Sequence, residues 1–192
     1  LNVVGLLLAA GAGTRFGSDK LSHSLPHGVP MAVQAARHLK PAVSRVVAVV
    51  RRSSTELGKR LEAEGCEVVV CDNADEGMGA SLACAARAAG AAEAYLVALG
   101  DMPFVRPSSA AAVRDALAAG AELAAPYWRA RRGHPVGLSA KFFAQLLTLR
   151  GDEGAKKLLA AHHDRLVKIP VGDPGVIRDI DTPADLAPRL RI

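Results

Sequence analysis

Short apolar runs alternate with helix-patterned segments from the start of the chain, and this alternation constrains the fold more than any other feature. Val3 to Ala9, Val46 to Val50, Val68 to Val70 and Tyr95 to Leu99 are short, branched and bounded by loop residues, which predicts buried strands. Helical segments lie between them. Pro30 can open a helix running through Leu39, and Ser53 with Glu56 spells a capping box ahead of Leu57 and Leu61, with Gly65 as its stop. Ala80 to Ala89 puts Leu82, Ala85, Ala86 and Ala89 on one stripe ending at Gly90, and Pro107 to Ala119 ends likewise at Gly120. Repeated βαβ units of this kind predict an α/β fold: a Rossmann-like three-layer sandwich with a mainly parallel sheet covered on both faces.

The pattern changes after Pro126. Tyr127 to Arg132 reads as an exposed basic turn, Gly133 to Leu138 as a strand, two short helices follow, and Leu166 to Pro170 reads as another strand. Thr182 caps a last helix with Pro183 at its first position and Asp185 at its third. No sharp break in composition divides the 192 residues, so a single domain over 1–192 is expected, with the segment 123–173 the place for a lid or acceptor-side insert.

Half the residues are hydrophobic and 22% are charged, enough for a sizeable core and unlike a disordered chain. The apolar run from Val3 to Ala12 is far shorter than the ~20 residues of a membrane span, and Gly13, Thr14 and Arg15 continue it as a structured loop rather than a cleavage site. Cys66, Cys71 and Cys84 form no CxxC pair and read as buried thiols, Cys71 lying near the site proposed below. A cytoplasmic protein is expected. The net charge of +5 comes from scattered arginines and lysines, and aromatic residues make up 4% of the chain, too few for base-stacking platforms. A small anionic ligand accounts for the excess charge better than a nucleic acid.

The chemistry begins in the loop after the first strand, Leu8-Ala9-Ala10-Gly11-Ala12-Gly13-Thr14-Arg15-Phe16-Gly17, followed by Lys20. Glycines at 11, 13 and 17 let backbone amides approach a phosphate, and Arg15 and Lys20 supply the charge to offset a phosphoryl group. A plain glycine-rich turn is the alternative. A dinucleotide fingerprint also begins with Gly11-x-Gly13, and Arg51-Arg52 suits an NADP 2′-phosphate. Against it, Phe16 stands where that fingerprint wants glycine or alanine, and Pro26, Gly28 and Pro30 block a helix directly after the glycines. The Walker pattern fails too, for want of a Lys-Ser/Thr pair after the last glycine. The second signal is Gly100-Asp101-Met102-Pro103. An aspartate at the carboxyl end of a central parallel strand stands where open α/β sheets bind ligands, and one carboxylate with phosphate oxygens and waters makes a typical Mg2+ site. Pro103 and Pro107 place the next helix too far along for Asp101 to cap it.

These residues resemble the molybdenum-cofactor nucleotidyltransferases, within the glycosyltransferase-A-like, nucleotide-diphospho-sugar transferase type of fold. The resemblance covers nearly the whole chain: the glycine loop with Lys20, Gly77-Met78-Gly79-Ala80-Ser81-Leu82, Gly100-Asp101-Met102-Pro103, Gly133-His134-Pro135-Val136, Gly151-Asp152-Glu153-Gly154-Ala155 and Asp179-Ile180-Asp181-Thr182-Pro183. It implies attack by the terminal phosphate of molybdopterin, or of its molybdenum form, on the α-phosphorus of a nucleoside triphosphate, with release of diphosphate. A phosphate monoester is already an anionic nucleophile, so alignment and charge neutralisation suffice. On this reading Arg15 and Lys20 are catalytic, Leu8 to Thr14 with Gly79 and Ser81 hold the nucleotide, and Asp101 with Asp181 holds magnesium. Asp179 is a further carboxylate beside them; a hydrogen-bonded entry to the last helix is the other role open to Asp179 and Asp181. His134, with Arg131 and Arg132, falls on the acceptor side. Adjacent His162 and His163 point apart on a helix and make no metal site.

Ala10, where guanylyl-transferring relatives tend to carry glycine, favours CTP. The polar run Ser22 to His27 departs from the leucine-rich pattern usual after the lysine. A guanylyltransferase, another nucleotidyltransferase, a non-catalytic cofactor carrier serving a molybdenum hydroxylase and an NADP-binding reductase are the alternatives.

Overall fold

The structure, a computed structural model, describes residues 1–11 and 20–186. Its centre is β1 (Val3–Ala9), buried along its whole length between parallel neighbours β2 (Arg45–Val50) and β4 (Ala94–Leu99). β3 (Glu67–Val70) extends the parallel set beyond β2. On the other side β7 (Val136–Ser139) runs antiparallel between β4 and β5 (Leu123–Trp128), while β6 (Arg131–Arg132) and β8 (Leu166–Pro170) both pair with β5. Among the described residues the order is thus β3-β2-β1-β4-β7-β5-β6 in one mostly parallel sheet, with β8 alongside β5.

Strand alternation sorts the core into two layers. Val3, Leu7 and Ala9 face one side with Val46, Ala48 and Leu96, covered by α1 (Met31–Leu39), α2 (Thr55–Ala63) and α4 (Pro107–Ala118). Val4, Leu6 and Leu8 face the other with Val47, Tyr95 and Val97, covered by α3 (Met78–Ala89), α5 (Phe143–Leu147) and α6 (Lys156–Ala161). The result is the expected three-layer α/β sandwich. The strands β5, β7 and β8, from within the segment 123–173, are built into the same sheet as β1.

Local details differ from the sequence reading. The capping box at Ser53 and Glu56 does not form: Ser54 is the residue before α2, it caps with no side-chain bond, and Glu56 reaches along the exposed face to Arg60 at 3.4 Å. Pro30 stands just ahead of α1 rather than within it, giving its carbonyl to Gln34 N at 2.9 Å. β3 is only half-buried, Val70 being 46% exposed, because it is the outermost strand with a partner on one side. The basic turn is a tight hairpin with Arg129 and Ala130 both at positive φ. The strand that follows starts at Val136, and the last helix is a short 3-10 turn, Pro183–Leu186.

Asp173, which carried no sequence signal, is a buried structural anchor. One carboxylate oxygen accepts from Arg106 N at 2.8 Å and Ser109 Oγ at 2.7 Å, capping α4, and the other accepts from Gly175 N at 2.9 Å. Asp173→Ala strands three donors, two of them buried, and should cost roughly 3 kcal/mol. Urea unfolding measures it, and a loss under about 1 kcal/mol, the size of a single ordinary hydrogen bond, would show that water replaces the carboxylate.

Candidate functional site

The carboxyl ends of β1, β2 and β4 bring Gly11, Arg51 and Asp101 to one edge of the sheet, around a cavity of about 290 Å³. Of the residues expected to hold a nucleotide, Leu8, Ala10, Gly11 and Ser81 line this cavity. Ala9 faces the opposite core layer, as strand alternation requires. Ala12, Gly13, Thr14 and the catalytic candidate Arg15 lie outside the described residues.

Beside the cavity, Lys20 Nζ joins the two candidate metal ligands, at 3.0 Å from Asp101 Oδ2 and 2.9 Å from Asp181 Oδ1. Residues far apart in sequence therefore meet at one ammonium. Burial alone would lower the Lys20 pKa, but the hydrogen bond to Asp181, reinforced by Asp101, outweighs it and raises the net value above 10.5. Burial raises the pKa of Asp101; Lys20 pulls against this, and the charge of Asp179 adds to it. Asp101 Oδ1 is buried with no hydrogen-bond partner among the described residues. A lone-pair oxygen of this kind, next to a second carboxylate, fits a hard divalent cation that completes its shell with phosphate oxygens and water. Asp181 also belongs to the turn into the last helix, where its backbone N–H and that of Thr182 donate to Asp185 Oδ2 at 3.1 and 2.9 Å. The hydrogen-bonded entry to the last helix read for it from the sequence is thus made by its backbone, while its carboxylate meets Lys20.

Another part of the cavity lining was only partly legible in the sequence. Arg51 spans it, donating Nε–H to Ala10 O at 2.6 Å and pairing with Asp75, while Arg52 pairs with Asp72 at 2.7 Å. Gly77, Met78 and Asp152 complete the wall. Gly77 has φ +119, and a Cβ there would lie 2.7 Å from Asp152 N; a Cβ on Gly79 would lie 2.5 Å from Arg150 O. The close backbone approach expected at Gly79 is therefore made by the protein's own segment 150–152. The signal that could have found this contact was the pair of glycine-bearing motifs, Gly77-Met78-Gly79 and Gly151-Asp152, each unusual on its own.

His134 lies away from this wall. It borders a separate cavity of about 20 Å³ with His38, Met102 and Pro135, room for about one water. Burial, aided by the charge of Arg132, pushes its pKa down to about 4. Arg131 and Arg132 are exposed on β6, and His162 packs edge-on against Phe142, ring centres 5.2 Å apart. Because the unfolded chain protonates His134 near 6.5 and the folded one near 4, stability should be complete above about pH 6.5 and fall between 6.5 and 4, by up to about 3 kcal/mol. Comparing urea midpoints of wild type and His134→Gln at pH 7 and pH 5 checks this; equal acid losses in both would contradict it.

Together, the mostly parallel sheet, Gly11 just beyond its first strand and a lysine bracketed by two aspartates at the carboxyl edge define a nucleotidyltransferase-type α/β domain. The chain belongs to the MobA-like NTP transferase domain family, whose pattern it matches over residues 5–166. A curated relative, nicotine blue oxidoreductase of Paenarthrobacter nicotinovorans, is 30% identical over 94% of this chain and 92% of its own length. Rv0371c of Mycobacterium tuberculosis H37Rv superposes with a TM-score of 0.82 at 25% identity over 96% of this chain and 94% of its own, and has also been crystallised in complex with manganese. Its homologue from Mycobacterium sp. strain JC1 superposes equally well at 28% identity, with the same shares covered. Among the described residues no helix is long and apolar enough to cross a membrane.

Proposed function

We propose that this nucleotidyltransferase transfers CMP from magnesium-bound CTP to the terminal phosphate of molybdopterin or the molybdenum cofactor, releasing diphosphate, in the cytoplasm. The observation that carries the reading is the Lys20–Asp101–Asp181 cluster at the rim of a cavity walled by Leu8, Ala10, Gly11 and Ser81. A magnesium ion held by Asp101 and Asp181 would neutralise charge on the triphosphate. Lys20, kept protonated by its carboxylate partners, supplies a fixed positive charge beside the reacting phosphates. Arg15 would serve the same end from the glycine loop. Among the described residues nothing stands within 4 Å of where a Gly11 side chain would be, which suits a phosphate at the start of that loop. Three free thiols, Cys66, Cys71 and Cys84, suit a reducing compartment. Diphosphate release from CTP, magnesium and molybdopterin tests the reading. No release, where a known enzyme of the family turns over under the same conditions, would reject it.

The wall that carries Gly77, Met78 and Asp152 suits the base. Asp152 presents a carboxylate there, able to accept a hydrogen bond from an exocyclic amine such as that of cytosine and to repel a carbonyl edge. Asp152→Asn should therefore narrow the preference for CTP over UTP, by roughly tenfold for one charge-assisted hydrogen bond. An unchanged CTP/UTP ratio of kcat/KM would remove Asp152 from base selection.

The curated relative's name supports a second reading, an oxidoreductase, for which Gly11-x-Gly13 and Arg51-Arg52 would suit an NADP cofactor. The structure engages both arginines that would greet an NADP 2′-phosphate, Arg51 with Ala10 and Asp75, Arg52 with Asp72. Oxidation of NADH or NADPH with an artificial electron acceptor would favour this reading over transfer.

A further inference from the structure

We propose that Cys71 and Cys84 form an oxidative modification site, where a hydroperoxide converts two thiols into a disulfide that closes a ring around segment 72–83 and alters the cavity wall within it. The disulfide itself stands apart from the transfer reading above; only its effect on CTP rests on that reading.

The fold brings the two cysteines together from different elements. Cys71 directly follows β3, where its N–H donates to Val50 O at 3.0 Å, and Cys84 lies in α3, which packs on the same core layer. Cys71 Sγ lies 4.0 Å from Ala80 O of that helix and 3.2 Å from Asn73 Oδ1. Ala80 is one turn ahead of Cys84, and helical side chains lean toward the amino end of their helix, so the Cys84 thiol extends over the turn that Cys71 touches. The two thiols are hydrogen-bond neighbours. Cys66 belongs to the opposite core layer, across the sheet from both.

Their surroundings give the thiols different parts. Cys71 lines an open groove of about 410 Å³ with Arg51, Arg52, Ser53 and Asp72, which admits an oxidant as small as a peroxide. Burial, with the neighbouring Cys71 adding to it, pushes the Cys84 pKa up to about 11, so Cys84 stays protonated at pH 7 and reacts second. The Cys71 sulfur attacks one oxygen of hydrogen peroxide and breaks the O–O bond; the departing hydroxide takes the thiol proton, leaving a sulfenic acid and one water. The Cys84 sulfur then displaces the sulfenic hydroxyl, which leaves with the Cys84 proton as a second water. The consequence falls on the cavity. Ala74, Asp75, Gly77, Met78 and Ser81 line it, and all lie within the ring. Drawing the sulfurs from hydrogen-bond range to the roughly 2 Å of a sulfur–sulfur bond pulls α3 toward the end of β3. Gly77 and Gly79 lie too close to the backbone of residues 150–152 to admit a Cβ, so a shift of this turn also moves the wall that carries Asp152.

The test treats wild type, Cys66→Ser, Cys71→Ser and Cys84→Ser with hydrogen peroxide, then measures free thiols by alkylation, cross-linked peptides by mass spectrometry and backbone hydrogen exchange over 72–83. Magnesium-dependent thermal stabilisation by CTP is recorded on the same samples. The proposal expects wild type and Cys66→Ser each to lose two alkylatable thiols to a cross-link between Cys71 and Cys84, with exchange slowed over 72–83 and both changes reversed by dithiothreitol. Cys71→Ser and Cys84→Ser should show neither. Oxidised wild type should bind CTP roughly tenfold more weakly, whereas peroxide leaves CTP binding by Cys84→Ser unchanged. Three thiols still alkylatable after peroxide, a disulfide to Cys66, or a cross-link that changes neither exchange nor CTP binding overturns the proposal. A reversible cross-link that slows exchange, in a protein with no CTP shift in either redox state, keeps the modification site and defeats the CTP reading instead.

Discussion

Asp101→Asn is expected to slow nucleotidyl transfer on the order of 10²–10³-fold while leaving the fold intact. The substitution keeps the shape of the side chain and removes its charge, so a cation loses its main ligand and Lys20 keeps only Asp181. Stability should hold, because burial raises the Asp101 pKa, so the carboxylate charge is less favourable in the folded chain than in the unfolded one and its removal costs the fold little. Steady-state rates at saturating magnesium, read with the melting temperature, separate the two effects. A variant with the wild-type rate would remove Asp101 from the chemistry, and one that melts far below wild type would make its role structural.

Lys20→Ala is expected to lower kcat by roughly 10²-fold while changing the KM for the triphosphate much less, since its charge matters most as diphosphate departs. It should also cost about 2 kcal/mol of stability, less than for a fully enclosed pair, because Asp181 is 48% exposed. The sign with pH follows from the raised pKa. A lysine held above its unfolded value of 10.5 contributes fully below that pH and loses its contribution as pH rises through the folded value, so the variant should lose the alkaline fall in stability attributable to this cluster. A rise in KM with kcat unchanged would make Lys20 a binding residue only.

The layers of the fold were readable because buried strands and amphipathic helices leave different periodicities in the sequence. Val3 to Ala9 appears as one unbroken apolar run because it is buried on both faces at the centre of a parallel set. The capping box at Ser53 and Glu56 misled, since the same four letters also place Glu56 within reach of Arg60 on an exposed helix face, and a cap and an i,i+4 pair compete for one side chain. Within the site, Lys20 was legible as a charge beyond the glycine loop and Asp101 as chemistry at a strand end. Their direct contact was not, because spacing along the chain says nothing of which side chains converge from different loops. Asp173 and Arg178 were invisible for a related reason. A buried carboxylate capping a distant helix and an arginine stacked on Phe104 are tertiary choices, made by residues that in sequence read as ordinary loop charges. Gly79 reads in the sequence as a nucleotide-holding residue, whereas it and Gly77 admit the backbone of residues 150–152, a partner that only the folded chain reveals.

The central claim is that the cavity beside Asp101 binds a nucleoside triphosphate with a divalent cation, and thermal stabilisation measures it most directly, since a ligand raises the melting temperature only by binding the folded state. CTP, GTP, ATP, UTP, NADH and NADPH are compared with and without magnesium on wild type and Asp101→Asn. The account predicts a magnesium-dependent shift that is largest for CTP and lost in the variant. A shift with NADH or NADPH, together with none from any triphosphate, would contradict it and move the protein to the oxidoreductase reading.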